Sequence, residues 1–129
     1  MADVQRFESC FGKKPFLVTM EVNPPKGTDL SEILQAVAGV RGLVDAVNVT
    51  DGSGAIMRAC SLAVAKAVLE AGVDPIFQMT CRDRNRLALQ ADLLGAHHQA
   101  LHGAFFHQLG PAWRLAAERE AGRLAHGGR

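Results

Sequence analysis

The sequence predicts an α/β fold in which parallel strands alternate with helices. Three runs have the composition of buried strands, a helical pattern follows each run, and the runs begin about 30 residues apart. That spacing is the length of one strand–helix unit, and strands that alternate with amphipathic helices imply parallel, right-handed connections. The predicted strands are Phe16–Val22, Ala46–Thr50 and Pro75–Thr80. Each is short, rich in large apolar residues and bounded by turn residues, which is typical of a parallel sheet covered by helices.

The first predicted helix has a clear apolar face. Its apolar side chains recur three and four residues apart, at Leu30, Ile33, Leu34, Val37 and Val40. Thr28 or Asp29 can cap its start. Gly39 and Gly42 offer places for it to end.

The second and third predicted helices span Ala55–Ala71 and Asn85–Ala96. The second is rich in alanine, so composition supports it more than periodicity does, and Gly72 marks its end. The third has Leu87, Ala91 and Leu94 on one face. Residues 1–12 are predicted to form a short leading helix or arm.

Two architectures fit this pattern: a closed (β/α)₈ barrel and an open, doubly wound sheet. A full barrel needs roughly 250 residues, and this chain has 129, so pattern alone favours a small open sheet. No fourth strand is evident near residue 100, where HHQALHGAFFHQ is apolar and rich in histidine. Gly110 and Pro111 then break the chain, and Ala112–Ala125 predicts a helical tail.

Bulk composition excludes several classes of partner. The net charge is +1, from 14 basic and 13 acidic side chains, which gives no reason to expect a nucleic acid or an anionic membrane. The three cysteines are widely separated and form no CxxC pair. We therefore expect neither disulfides nor a zinc site. This cysteine usage fits a reducing compartment. No apolar run approaches the roughly 18 residues that span a bilayer, and the N-terminus lacks an apolar signal core. These features predict a cytoplasmic protein.

Glu21 is the most informative candidate for chemistry, because ligands bind at the carboxyl ends of parallel strands. It lies near the end of an otherwise apolar strand. Partial burial would raise its pKa and suit it to donating a proton. The alternative is a structural ion pair with Lys26, Arg82 or Arg84.

Other features at the strand ends each have two possible interpretations, one functional and one structural. Asp51–Gly54 is either a phosphate loop or a turn that leads into a helix, and it lacks the spacing of known phosphate motifs. Cys81 is either reactive or structural. His98 and His102 have the spacing of metal ligands, but no nearby carboxylate or cysteine completes a shell, so we predict no metal site.

Three motifs at these strand ends carry a resemblance to a known family. FLVTMEVNPPKGTDL, VDAVNVTDGSGAIMR and PIFQMTCRDRNRLALQADLLGA occur in this order between about Phe16 and Ala96. They resemble the bacterial methylenetetrahydrofolate reductases, above all the branch with a TCRDRN signature. The resemblance implies a partial (β/α)₈ TIM barrel of about three βα units over residues 1–96, followed by a divergent helical tail over residues 97–129.

The resemblance also implies an activity and its residues. Family members pass a hydride from NADH or NADPH to FAD, and the flavin reduces 5,10-methylenetetrahydrofolate to 5-methyltetrahydrofolate. By position, Glu21 would be the general acid and Thr50 would touch the flavin. Gln78 stands where relatives often have histidine, and it can donate a hydrogen bond but cannot carry a proton.

The sequence departs from the family after the third helix. The resemblance implies a fourth strand that ends in Gly-Asp beside the flavin, and no such pair follows His97. A truncation or a shift of reading frame near His97 would explain this, and we then expect little or no reductase activity. The alternative is a noncatalytic α/β protein that self-associates through its open barrel edge, as a homo-oligomer or with a partner subunit.

Overall fold

The sheet is parallel and has four strands. The structure, a computed structural model, describes residues 4–101 and 103–107. The strands are β1 (Thr19–Val22), β2 (Ala46–Val49), β3 (Pro75–Thr80) and β4 (Gly103–His107). The helices are α1 (Ser31–Val40), α2 (Ser61–Glu70) and α3 (Arg86–His98), with short 3₁₀ turns at Phe7–Cys10 and Ser53–Ala55.

The strands lie side by side in chain order, β1-β2-β3-β4, and every neighbouring pair is parallel. In register, Glu21 of β1 lies beside Asn48 of β2, which lies beside Ile76 of β3. A doubly wound sheet would reverse its strand order at a switch point. The unbroken order is therefore consistent with consecutive units of a TIM barrel rather than with the open sheet that pattern alone favours.

β4 corrects one prediction directly. We expected no strand near residue 100, yet Gly103–His107 pairs with β3 over five residues, from Ile76 beside Gly103 to Thr80 beside His107. The predicted boundary at residue 96 falls inside α3, which continues to His98. The helix predicted for Ala112–Ala125 lies outside the described residues.

The two faces of the sheet differ in burial. The side chains that alternate toward the helices are buried and form the core together with Val37 of α1 and Val64 and Val68 of α2; on the strands they are Val22, Val47, Val49, Phe77 and Met79. The opposite face carries Thr19, Glu21, Asn48, Ile76 and Gln78, which are half-buried or exposed. In a closed barrel that second face points inward.

The helix ends follow local chemistry in two cases and tertiary contacts in the third. Asn85 caps α3 by accepting a hydrogen bond from the Ala88 N–H at 2.9 Å. Gly72 follows α2 in a left-handed conformation, as predicted. The predicted start of α2 at Ala55 is wrong, since the helix begins at Ser61. The preceding segment is held against the loop after β1 by the Ala59 N–H, which donates to the Pro25 carbonyl at 2.8 Å.

The N-terminal arm closes the end of the sheet opposite the strand carboxyl ends. Asp74, which is buried, accepts from the Arg6 guanidinium at 2.9 Å and from the Phe7 N–H at 2.8 Å. Arg6 also donates to the Ala100 carbonyl at 3.0 Å. The arm is therefore a short 3₁₀ turn that ties β3 to the segment before β4. Within the described part of the chain, no helix is long and apolar enough to cross a membrane.

Candidate functional site

A cavity of about 270 Å³ lies at the carboxyl ends of β1, β2 and β3. Glu21, Thr50 and Gln78, the three residues predicted from the sequence, all line it. The loop after β2 and the polar side chains of Thr80 and Arg82 complete its wall. The structure therefore brings together residues that are up to 57 positions apart in the chain, at the edge where parallel α/β proteins bind ligands.

Glu21 is exposed, so the partial burial predicted for it is wrong. The physical reason is its face: period-2 alternation places it on the side of the sheet that the helices leave uncovered. The alternative prediction, a structural ion pair, also fails within residues 4–101. Arg84 bonds Asp51 and Asp92, and Arg82 bonds Asp83 instead. The carboxylate is thus available to a ligand.

Thr50 is buried and is oriented by the loop after β1. Its hydroxyl donates to Asn23 Oδ1 at 2.7 Å, and its N–H donates to the Val22 carbonyl at 3.1 Å. A hydroxyl has one proton to donate and two lone pairs. With that proton directed to Asn23, Thr50 can offer a ligand only the role of hydrogen-bond acceptor.

Gln78 is half-buried on β3, on the same open face as Glu21. Its main-chain carbonyl accepts a hydrogen bond from the Ser61 hydroxyl at 2.8 Å, and Ser61 is the buried first residue of α2. This contact ties the start of α2 to the strand that carries Gln78. The backbone position of Gln78 is therefore fixed by the core rather than by a loop.

Asp51 organises the loops around the cavity, a role that sequence reasoning missed. It accepts from the Thr80 N–H at 2.8 Å and from the Arg84 guanidinium, which also donates to Asp92 at 2.8 Å. The Asp51 side chain is only 9% exposed. Gly52 then turns the chain with a φ of 55°, where a side chain would meet Arg82 Nη2 at 3.3 Å. Because α2 starts only at Ser61, this loop is neither a phosphate loop at a helix start nor a turn leading directly into one.

Cys81 is half-buried beside the same loop. Burial raises the pKa of its thiol; the Arg84 charge opposes that effect and the Asp51 charge adds to it. A thiol with a raised pKa holds little of the reactive thiolate at neutral pH. The structural alternative therefore describes Cys81 better than the reactive one.

We expect alkylation to rank the three cysteines by environment. With iodoacetamide near neutral pH, the exposed Cys60 should react first, while Cys81 and the buried Cys10 lag. The Cys81 rate should increase as pH rises toward its raised pKa, because the thiolate fraction then grows. Mass spectrometry of tryptic peptides over time measures each rate. Labelling of Cys81 ahead of Cys60 at neutral pH would contradict this assignment.

The histidines give no metal centre in the described region. The rings of His97 and His98 lie 6.3 Å apart at the end of α3. Among the residues that the structure describes, no group of three or more histidine, cysteine or acidic side chains is arranged to hold a metal ion. His102, the partner suggested by spacing, lies outside the described residues.

The fold and the cavity define a parallel βα protein with a polar cavity at the carboxyl edge of its sheet. The family model described as Methylenetetrahydrofolate reductase matches residues 6–103. The chain therefore belongs to the methylenetetrahydrofolate reductase family, which is a family of oxidoreductases. The match extends beyond the Phe16–Ala96 region that carried the resemblance and reaches the first residue of β4. No curated protein matched the chain.

Proposed function

We propose that this chain supplies the Glu21 side of a flavin-dependent site that reduces 5,10-methylenetetrahydrofolate to 5-methyltetrahydrofolate. One observation carries the proposal: Glu21, Thr50 and Gln78 line one cavity at the carboxyl ends of three parallel strands. The family match supports the folate substrate and the reductase chemistry. In this proposal the described strands are part of a (β/α)₈ barrel.

The residues of the cavity fit a flavin ring. A flavin presents both a ring N–H donor and carbonyl acceptors along one edge. Thr50 has free lone pairs for a donor, because its own proton goes to Asn23, and an amide such as that of Gln78 can both donate and accept. When bound, FAD would supply hydride transfer, with NADH or NADPH as its reductant.

Glu21 is the proposed proton donor to the substrate, and its place in the lining of the cavity supports this role. In the proposal its carboxyl group donates a proton to the folate ring nitrogen that leaves when the five-membered ring opens. General acids of this kind contribute about 10²–10⁴-fold to rates. Asn48 lies beside Glu21 in register on the same face, so a polar neighbour is at hand for the carboxyl group.

The end of β4 argues for slow turnover. β4 ends at His107, and no aspartate follows Asp92 anywhere in the sequence. The acidic residue that the resemblance implies beside the flavin is therefore missing from the strand next to β3. We propose that the chain binds the flavin and reduces the folate weakly or not at all.

Flavin binding is the sharpest test of this proposal. Titration of the purified chain with FAD, followed by flavin fluorescence, should show saturable binding that Gln78→Leu weakens about fivefold, since one neutral hydrogen bond is worth about 1 kcal/mol. Gln90→Leu is the matched control, because Gln90 is exposed on α3 and does not line the cavity. Equal affinity of the two variants, or no binding by the wild type, would contradict the proposed site.

A second candidate is a noncatalytic protein that self-associates. Leu87 and Leu94 are exposed and one heptad apart on α3, and Phe16 and Val18 are exposed beside the edge strand β1. These surfaces would pack against neighbouring units in a closed barrel, and without such units they favour association. A colourless chain whose mass by light scattering is that of an oligomer would favour this candidate over the reductase.

A further inference from the structure

A second cavity, of about 400 Å³, adjoins the first and has no role in the proposed proton transfer. It lies between the loop after β2 and the loop after β3, and the two cavities share Asp51, Gly52, Thr80 and Arg82 as walls. Three arginines and two aspartates line it, so the lining residues carry one net positive charge, which Asp92 offsets from outside the lining through its ion pair with Arg84.

The positive charge belongs to Arg58, because the other two arginines are neutralised. Arg84 bonds both Asp51 and Asp92, and Arg82 bonds Asp83 with its Nη2 at 2.6 Å. Within residues 4–101, Arg58 forms no ion pair, and its Nε is buried without a hydrogen-bond partner. A buried N–H without a partner costs free energy unless a ligand or water satisfies it.

Arg58 is held in place before any ligand arrives. Its Nη1 donates to the carbonyl of Pro24 at 2.9 Å, and Pro24 is fully buried. The next residue, Ala59, is pinned to Pro25. Ile56 and Met57 line the same cavity and are exposed, so an apolar wall stands beside the cation. An arginine fixed by one nitrogen keeps its charge in the cavity wall for an anion, with little side-chain entropy left to lose.

We propose that this second cavity binds the anionic end of a ligand, a carboxylate or a phosphate, with Arg58 as its charged partner. The choice of ligand rests on the proposed function: a folate ends in carboxylates beyond an aromatic ring, and a nicotinamide or flavin dinucleotide carries phosphates. Because the two cavities share a wall, a ligand whose reactive ring lies near Glu21 can extend its anionic end toward Arg58. The apolar wall of Ile56 and Met57 favours the carboxylate of the folate, next to its ring.

Nuclear magnetic resonance of the full chain tests the site directly. The Nε–H of Arg58 gives its own ¹⁵N–¹H signal, assigned by its loss in Arg58→Gln. Titration at low salt with p-aminobenzoylglutamate, and separately with inorganic phosphate, should shift this signal saturably. Arg58→Gln should weaken binding of the effective probe by about tenfold or more, and Arg58→Lys should restore part of it, since charge-assisted hydrogen bonds exceed neutral ones.

Arg41→Gln is the matched control, because Arg41 is exposed and lines a different cavity at the opposite end of the sheet. It should bind the probe like the wild type. A response to p-aminobenzoylglutamate alone assigns the site to the folate tail, and a response to phosphate as well assigns it to a dinucleotide. An unmoved Arg58 signal with both probes, or equal weakening in Arg41→Gln, would overturn the site.

The two proposals can fail separately. A shift of the Arg58 signal in a chain that binds no FAD would retain the anion site and overturn the proposed flavin site. Saturable FAD binding without any Arg58 response to either probe would retain the flavin site and overturn the anion site. The titration itself is read in the wild-type chain, and Arg58→Lys, which also removes the Arg58 Nε–H signal, supplies the assignment if Arg58→Gln does not fold.

Discussion

Replacing Phe77 by alanine is expected to lower the free energy of unfolding by about 3–5 kcal/mol, the usual cost of truncating a buried phenylalanine. Phe77 is 1% exposed and lies in the middle of β3, with Val49 of β2 beside it in register. Its ring packs in the core cluster under α2, so little can move into the space that it leaves. Since single domains are stable by only about 5–15 kcal/mol, this variant should be close to unfolded.

The matched control is Phe16→Ala, because Phe16 is 72% exposed. It should change the free energy of unfolding by no more than about 0.5 kcal/mol. Urea denaturation followed by circular dichroism measures both variants, with the slope of the transition checked for a common two-state process. A Phe77→Ala transition that coincides with that of Phe16→Ala would mean that β3 is not at the centre of the fold.

The sequence predicts β3 well because everything that defines it is local. Its apolar run begins at a proline and ends before a charged stretch, and the observed strand has the predicted bounds, Pro75–Thr80. β4 is harder to predict, since five residues beginning with glycine carry little strand signal by themselves. Its pairing with residues 27 positions earlier supplies the order that local composition does not. Strand formation of this kind depends on an existing neighbour.

The start of α2 shows a different limit of sequence-based prediction. Ala55 and its neighbours have helical composition, yet contacts to Pro24 and Pro25 hold Arg58 and Ala59 against the loop after β1, outside any helix. Helix propensity is worth less than about 1 kcal/mol per residue, so a few tertiary hydrogen bonds outweigh it. The same contacts fix Arg58, which no motif in the sequence singled out.

The three predicted site residues do share a cavity, but the prediction for Glu21 failed in its environment. Strand alternation gives its face correctly, whereas its burial depends on whatever lies over that face. The prediction of ion-pair partners fails for the same reason. Several arginines follow Glu21 in the chain, and only three-dimensional packing assigns Arg84 to Asp51, 33 residues away. The roles of Glu21, Thr50 and Gln78 in catalysis and flavin binding stay predictions.

Replacing Asp51 by alanine is expected to cost about 3 kcal/mol of unfolding free energy, the lower end of the range for breaking a buried ion pair. The variant leaves the buried Thr80 N–H without its acceptor and Arg84 with only Asp92 as a carboxylate partner. Both losses fall between the loops after β2 and β3, which form the wall shared by the two cavities. We therefore expect the loops to separate and the Thr80 amide to exchange with solvent much faster than in the wild type.

Asp83→Ala separates this effect from the simple loss of a surface charge. Asp83 also pairs with an arginine in the same loop, but its side chain is 58% exposed, against 9% for Asp51. Exposed pairs are worth at most about 1 kcal/mol, so this variant should remain near the wild type in urea denaturation and in Thr80 amide exchange. Equal losses in the two variants would show that charge alone matters there. A loss confined to Asp51→Ala would show that a buried carboxylate joins the two loops and thereby gives both cavities their shape.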